Sequence, residues 1–106
     1  MKLLTEELKK KLPPLYATEN VEVEDKVALI KFFHPMSSWT WYVVEGGYNK
    51  DLGTWLFFGL VDGFESEWGY FTLQELETTK VHGLGIERDL YWKPKKLREF
   101  HPRYME

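Results

Sequence analysis

Apolar and polar positions recur along the chain at two different periods. Near the start, Leu4, Leu8, Leu12 and Leu15 follow helical spacing and predict a buried stripe. Thr5 is placed to cap that helix, with Glu6 and Glu7 in its first turn and Lys9, Lys10 and Lys11 toward its end, the signs that complement the helix dipole. Pro13 and Pro14 stop it. The polar stretch ATENVEVEDK, 17–26, reads as a loop or the approach to a strand. Apolar runs with strand character then follow: VALIKFF (27–33), WTWYVVE (39–45), WLFFGLV (55–61) and the shorter WGYF (68–71). The intervening stretches carry turn chemistry, namely HPMSS, then Gly46, Gly47 and Asn49 continued by KDLG, then the pair Asp62-Gly63.

The last third returns to helical signals. Thr72 and Glu75 in TLQE have capping-box spacing and predict a helix or helical turn over LQELE. Gly83 and Gly85 mark a loop, IERDLYW offers a last strand or extended segment, and Pro94 suits the first turn of a C-terminal helix, KKLREF. Connections of hairpin length between successive strands favour antiparallel pairing. The expected fold is therefore α+β: a small antiparallel sheet of four to five strands with short N-terminal, middle and C-terminal helices packed on it. Residues 1–106 are expected to form a single domain, a length that suits one core.

The central runs do not alternate cleanly between apolar and polar. In 39–45, Trp39, Trp41 and Val43 fall on one face, with Thr40, Tyr42 and Val44 on the other. In 55–61, Trp55, Phe57, Gly59 and Val61 oppose Leu56, Phe58 and Leu60. Both faces of the mid-sheet are thus apolar, and two coverings fit. Either the N-terminal helix and the 72–80 segment cover one face and the C-terminal segment the other, or part of an aromatic face is left for a partner.

Composition sharpens this choice. The chain is 17% aromatic, with 5 Trp, 6 Tyr and 7 Phe, more rings than one small core needs. The net charge of −3 is not the footprint of a duplex-coating protein. The absence of cysteine excludes disulfides, thiolate metal sites and cysteine catalysis, and fits a reducing compartment. The N-terminus has no apolar signal region and no run approaches the length of a membrane helix, so a cytoplasmic chain is expected.

Taken together, the blocks KLLTEELKKKLPPLYATE, WTWY, LFFGLVDGF, GYFTLQELE and GLGIERDLYWKP resemble an uncharacterised family of small bacterial proteins, a domain of unknown function. The resemblance covers nearly the whole chain and implies carriage on plasmids, integrative elements and phages. It implies no catalytic residue.

Chemistry-bearing motifs are sparse. None of Ser37, Ser38 and Ser66 lies in a nucleophile-elbow context. His34, His82 and His101 are far apart in sequence, and GLGIER lacks the third glycine of a dinucleotide loop. No cofactor is implied. Asp62, Glu65 and Glu67 on one loop, or Glu87 and Asp89 flanking Arg88, are the sets a metal-dependent enzyme would use. A single-stranded nucleic-acid module would stack bases on Trp39, Trp41 and Trp55 beside Lys31, with phosphate contacts from Lys93, Lys95, Lys96 and Arg98. The favoured expectation is a non-enzymatic module that binds a host or mobile-element protein through Trp39, Trp41, Trp55, Trp68, Arg88 and Tyr91, residue types that dominate interfaces. An exposed sheet edge closed by a second copy would make a homodimer.

Overall fold

The computed structural model describes residues 1–101. In chain order its elements are α1 (Glu6–Lys11), a 3-10 turn (Val23–Asp25), β1 (Val27–Ala28), β2 (Ile30–Phe33), β3 (Thr40–Asn49), β4 (Thr54–Asp62), β5 (Ser66–Thr72), α2 (Leu73–Thr78), β6 (Lys80–Val81), β7 (Leu84–Gly85), β8 (Glu87–Arg88), β9 (Lys95–Lys96) and α3 (Leu97–Phe100). Among these residues the main sheet is five-stranded and antiparallel, in the order β5-β4-β3-β2-β8. Two small antiparallel pairs, β1 with β9 and β6 with β7, flank it. The fold is α+β, as the alternation of periods predicts.

Both sheet faces are covered, by opposite ends of the chain. On the first face Ile30, Phe32, Val43, Phe57 and Phe71 pack under Leu3, Leu4 and Leu12 from the N-terminal segment, Leu76 from α2, and Ile86. On the second face Tyr42 and Leu60 pack with Ala28 and Leu97, rimmed by Trp68, Trp92 and Phe100. The indole N–H of Trp92 donates to the Ala28 carbonyl at 3.0 Å and fastens the C-terminal segment to that face.

The helix ends follow their caps. Thr5 Oγ1 accepts from the Leu8 N–H at 3.2 Å, and Thr72 Oγ1 accepts from the Glu75 N–H at 3.1 Å. The Thr72 hydroxyl also donates to the Glu75 carboxylate at 3.1 Å. Leu15 falls outside α1 and is half-buried, whereas Leu3, outside the predicted stripe, joins the core.

Three expectations are corrected. The residues expected to turn, Gly46 and Gly47, remain in β3, which runs on to Asn49. A Cβ on Gly46 would lie 2.9 Å from the Phe57 ring and 3.1 Å from Leu12, so this glycine serves close packing. The chain reverses instead at 50–53, where Gly53 has φ +68° and Asn49 Oδ1 accepts from the Leu52 N–H. The run 27–33 is split at Leu29, and β1 leaves the main sheet to pair with β9. The C-terminal helix begins at Leu97, because Lys95 and Lys96 are held in that pairing. The last strand offered for 86–92 is present as Glu87–Arg88, paired with β2.

A β-bulge in β3 explains a buried charge. Val43 pairs with Gly59 and Glu45 with Phe58, leaving Val44 as the extra residue. The bulge flips the alternation: Glu45 would otherwise share the first face with Trp41 and Val43, inside the apolar core. It points to the second face instead and accepts from the backbone N–H groups of Tyr16 (2.8 Å) and Thr18 (2.9 Å) and from the Thr18 hydroxyl. Lys26, also buried, donates to the Thr18 carbonyl at 2.5 Å and to its hydroxyl oxygen at 3.0 Å. This network ties the 13–26 segment to the sheet.

Candidate functional site

One end of the sheet carries an open aromatic cleft. The loop after β2 brings in His34, Ser37 and Trp39, β3 supplies Trp41, and the β6–β7 hairpin with its flanks supplies Thr79, Val81 and Ile86. These line a largely apolar hollow of about 380 Å³. On its other side Trp39 lines a second hollow with Val61, Phe64, Glu65 and Glu67, from the end of β4, the turn and the start of β5. Trp39 is therefore the wall between two hollows. Its ring lies 6.0 Å from that of Trp41 and meets Phe64 edge-on at 5.4 Å. Phe64 is 95% exposed.

Local sequence builds this geometry. The Asp62-Gly63 pair does stand at a chain reversal, but Gly63 is demanded there by the indole. A Cβ would fall 2.5 Å from two Trp39 ring carbons. Across the hollow, His34 is buried and bonded through both ring nitrogens. Its Nδ1 accepts from the Met36 N–H at 3.1 Å, which leaves Nε2 as the donor to the Leu84 carbonyl, also at 3.1 Å. His34 thus couples the β2–β3 loop to the β6–β7 hairpin. That hairpin turns through His82 and Gly83, both at positive φ (53° and 79°).

Of the six predicted contact residues, only Trp39 and Trp41 line this cleft. Trp55 lies at the opposite end of β4, paired with Tyr48, packed on the first-face core and overlain by Lys9 at 5.8 Å. Trp68 is on the second face, stacked on Phe58 at 5.6 Å. The Arg88 guanidinium donates to the carbonyls of Lys2 (2.6 Å) and Leu3 (2.9 Å), a structural pin for the N-terminus. Tyr91 is 93% exposed, away from the cleft beside Leu90. Phe64, Val81 and Ile86 were not singled out from sequence, and His34 was weighed only as a metal ligand, although V-H-G-L could have been read as a hairpin from its His-Gly turn.

The alternative sets are not assembled as their readings require. Lys31 neighbours Tyr42 on the second face, 3.7 Å from Asp89 and 5.6 Å from the Trp92 ring, so it does not join Trp39, Trp41 and Trp55. Lys95 lies over Trp92 at 4.4 Å, Lys96 and Arg98 converge on Asp25 at 3.7 and 2.8 Å, and Lys93 is exposed. Asp62 turns inward: Ser66 Oγ donates to its Oδ1, and His101 Nε2 meets its Oδ2, each at 3.0 Å. Serine and histidine share a carboxylate here but do not contact each other, so this is not a nucleophile–base pair. Among the described residues no three His, Asp or Glu side chains gather closely enough to hold a metal ion. Nor is any helix among them long and apolar enough to cross a membrane.

The family model described as "Protein of unknown function (DUF2958)" matches residues 3–100. The chain belongs to this family. The match takes in the full strand framework and every residue of the cleft, so the cleft is part of the DUF2958 domain itself. No curated protein and no solved structure matches the chain.

Proposed function

We propose that this DUF2958 chain is a non-enzymatic protein-binding module of a mobile genetic element, regulating or inhibiting a host defence or transfer machine, and that it docks through the Trp39–Trp41–Phe64 cleft. The observation that carries the reading is Phe64. A phenylalanine 95% exposed on a turn contributes nothing to a core, yet it stands edge-on to a tryptophan that walls two hollows. Aromatic groups of this kind, beside apolar hollows, serve as interface anchors. Glu65 and Glu67 border one hollow, and neither has an ion-pair partner among the described residues, which favours a partner segment with an apolar plug flanked by Lys or Arg. The resemblance drawn from the sequence blocks supplies the mobile-element setting.

The test is affinity capture of the tagged chain from host lysate, with and without nuclease, in parallel with Phe64→Ala. A stoichiometric protein that survives nuclease and binds Phe64→Ala about 30-fold more weakly, the equivalent of about 2 kcal/mol, supports the reading. Full-strength binding by a folded Phe64→Ala chain refutes the cleft as the docking site. A yield that disappears with nuclease transfers the function to nucleic acid.

A further inference from the structure

The main sheet has two edges, and only one is guarded. The β8 edge is two residues long, both charged, Glu87 and Arg88. Short, charged edges resist pairing with another chain. The β5 edge runs for seven residues, Ser66–Thr72, with no proline, no lysine and a single charge, Glu67. Its register against β4 is unbroken from Asp62–Ser66 to Leu56–Thr72, so no bulge twists it away. No described residue pairs with its outer side.

The residue order along β5 is also self-complementary. Antiparallel pairing centred on Gly69 sets Gly69 opposite Gly69 of a second copy, Trp68 opposite Tyr70, Glu67 opposite Phe71 and Ser66 opposite Thr72. Aromatic pairs and Ser–Thr pairs are favourable cross-strand neighbours, and no like charges face each other. Trp68 and Tyr70 already flank Phe58, at 5.6 and 5.1 Å, and Tyr70 is 51% exposed at the edge. The pairing would extend that aromatic row across the join. Space at the centre is open: a Cβ on Gly69 meets nothing within 4 Å.

We propose that two copies of this chain pair antiparallel through their β5 edges, about a two-fold axis at Gly69, merging their sheets into one. The assembly carries two Trp39–Trp41–Phe64 clefts, but the proposal does not rest on what they bind.

Light scattering across a dilution series reads the mass directly: it should approach twice the chain's 12.7 kDa at high concentration. Gly69→Lys sets two ammonium groups face to face across the axis, and should return the mass to that of one chain while the far-ultraviolet circular dichroism stays unchanged. Because the sequence has no cysteine, Gly69→Cys is a clean reporter. Its two Cα atoms would stand about 4.5–5.5 Å apart, within disulfide reach. It should cross-link on mild oxidation far faster than Leu52→Cys, which sits on the exposed 50–53 turn. If Gly69→Lys fails to fold, amide exchange on the unaltered chain decides: residues 67–71 should gain protection with concentration while 50–53 do not. A mass of one chain at every concentration, cross-linking no faster than at Leu52, or exchange independent of concentration overturns the proposal.

Discussion

Single residues set tolerances that the sequence pattern conceals. Gly59 looks like an apolar-run spacer, yet a Cβ there would lie 1.8 Å from the Tyr42 carbonyl oxygen, beside the β3 bulge. Backbone cannot yield as a side-chain tip can. Gly59→Ala should therefore cost about 3 kcal/mol, the upper end for overpacking, read as a lowered denaturation midpoint. Glu45 makes a pH-dependent contribution. Burial, the largest influence, raises its pKa, but the Thr18 hydroxyl, the Tyr16 and Thr18 N–H groups and the Lys26 charge together outweigh it and hold the carboxyl below the ordinary value. A carboxylate lowered by folding stabilises fully above its unfolded value, about 4.3, and that stabilisation is lost as pH falls through the lower folded value. Glu45→Gln offers an amide where two N–H groups need acceptors, so it should cost roughly 1–3 kcal/mol near neutral pH. Its thermal midpoint should also fall less steeply than the wild type's once pH drops below about 4.3. Parallel acid limbs for the two proteins would show that Glu45 does not carry this dependence. Neither effect could be read from WLFFGLV or WYVVEGG, because both depend on partners far along the chain.

At the scale of elements, what was legible followed from local chemistry. Thr5 and Thr72 cap the helices expected of them, the apolar runs at 55–61 and 68–71 lie within β4 and β5, and the run at 39–45 lies in β3 except for Trp39, which precedes it. Errors arose where tertiary contact decides. Gly46 and Gly47 carry turn composition but remain in a strand, since Gly46 is pressed against Phe57 and Leu12. Pro94 permits a helix start, yet pairing with β1 holds Lys95 and Lys96 extended. The cleft was half legible: WTW marked Trp39 and Trp41, but not the β6–β7 hairpin that His34 draws in over 50 residues of sequence. Gly63 joins the two kinds of case. Gly63→Ala should displace the Trp39 indole from the β4–β5 turn, because its Cβ would sit 2.5 Å from the ring. Fold should persist, since the side chain, unlike the backbone at Gly59, can swing away. The check is increased quenching of tryptophan emission by acrylamide with an unchanged far-ultraviolet spectrum. Unchanged quenching would mean that the turn yields instead of the ring.

Across the whole molecule the chain solves a problem posed by its middle. Five strands with two apolar faces need cover on both sides, and the described residues hold no long helix for that role: α1, α2 and α3 span six, six and four residues. Leucines from the first 12 residues and from α2 cover the first face, while Trp92, Leu97 and Phe100 cover the second. The second cover is anchored through Leu97, which is fully buried and whose N–H donates to the Lys26 carbonyl at 3.1 Å. Lys26 in turn belongs to the Glu45 network that fastens the 13–26 segment, so the two ends of the chain are joined through the sheet. Leu97→Ala should therefore destabilise the whole fold by about 2–5 kcal/mol, not merely release the C-terminal segment. Equilibrium unfolding distinguishes these outcomes. Tryptophan fluorescence samples rings on both faces, and far-ultraviolet circular dichroism follows the sheet. In the variant both should move to a lower denaturant midpoint together, with the slope unchanged. A fluorescence transition that separates from the circular dichroism transition would show that the second cover unfolds independently, and that the first face alone sustains the sheet.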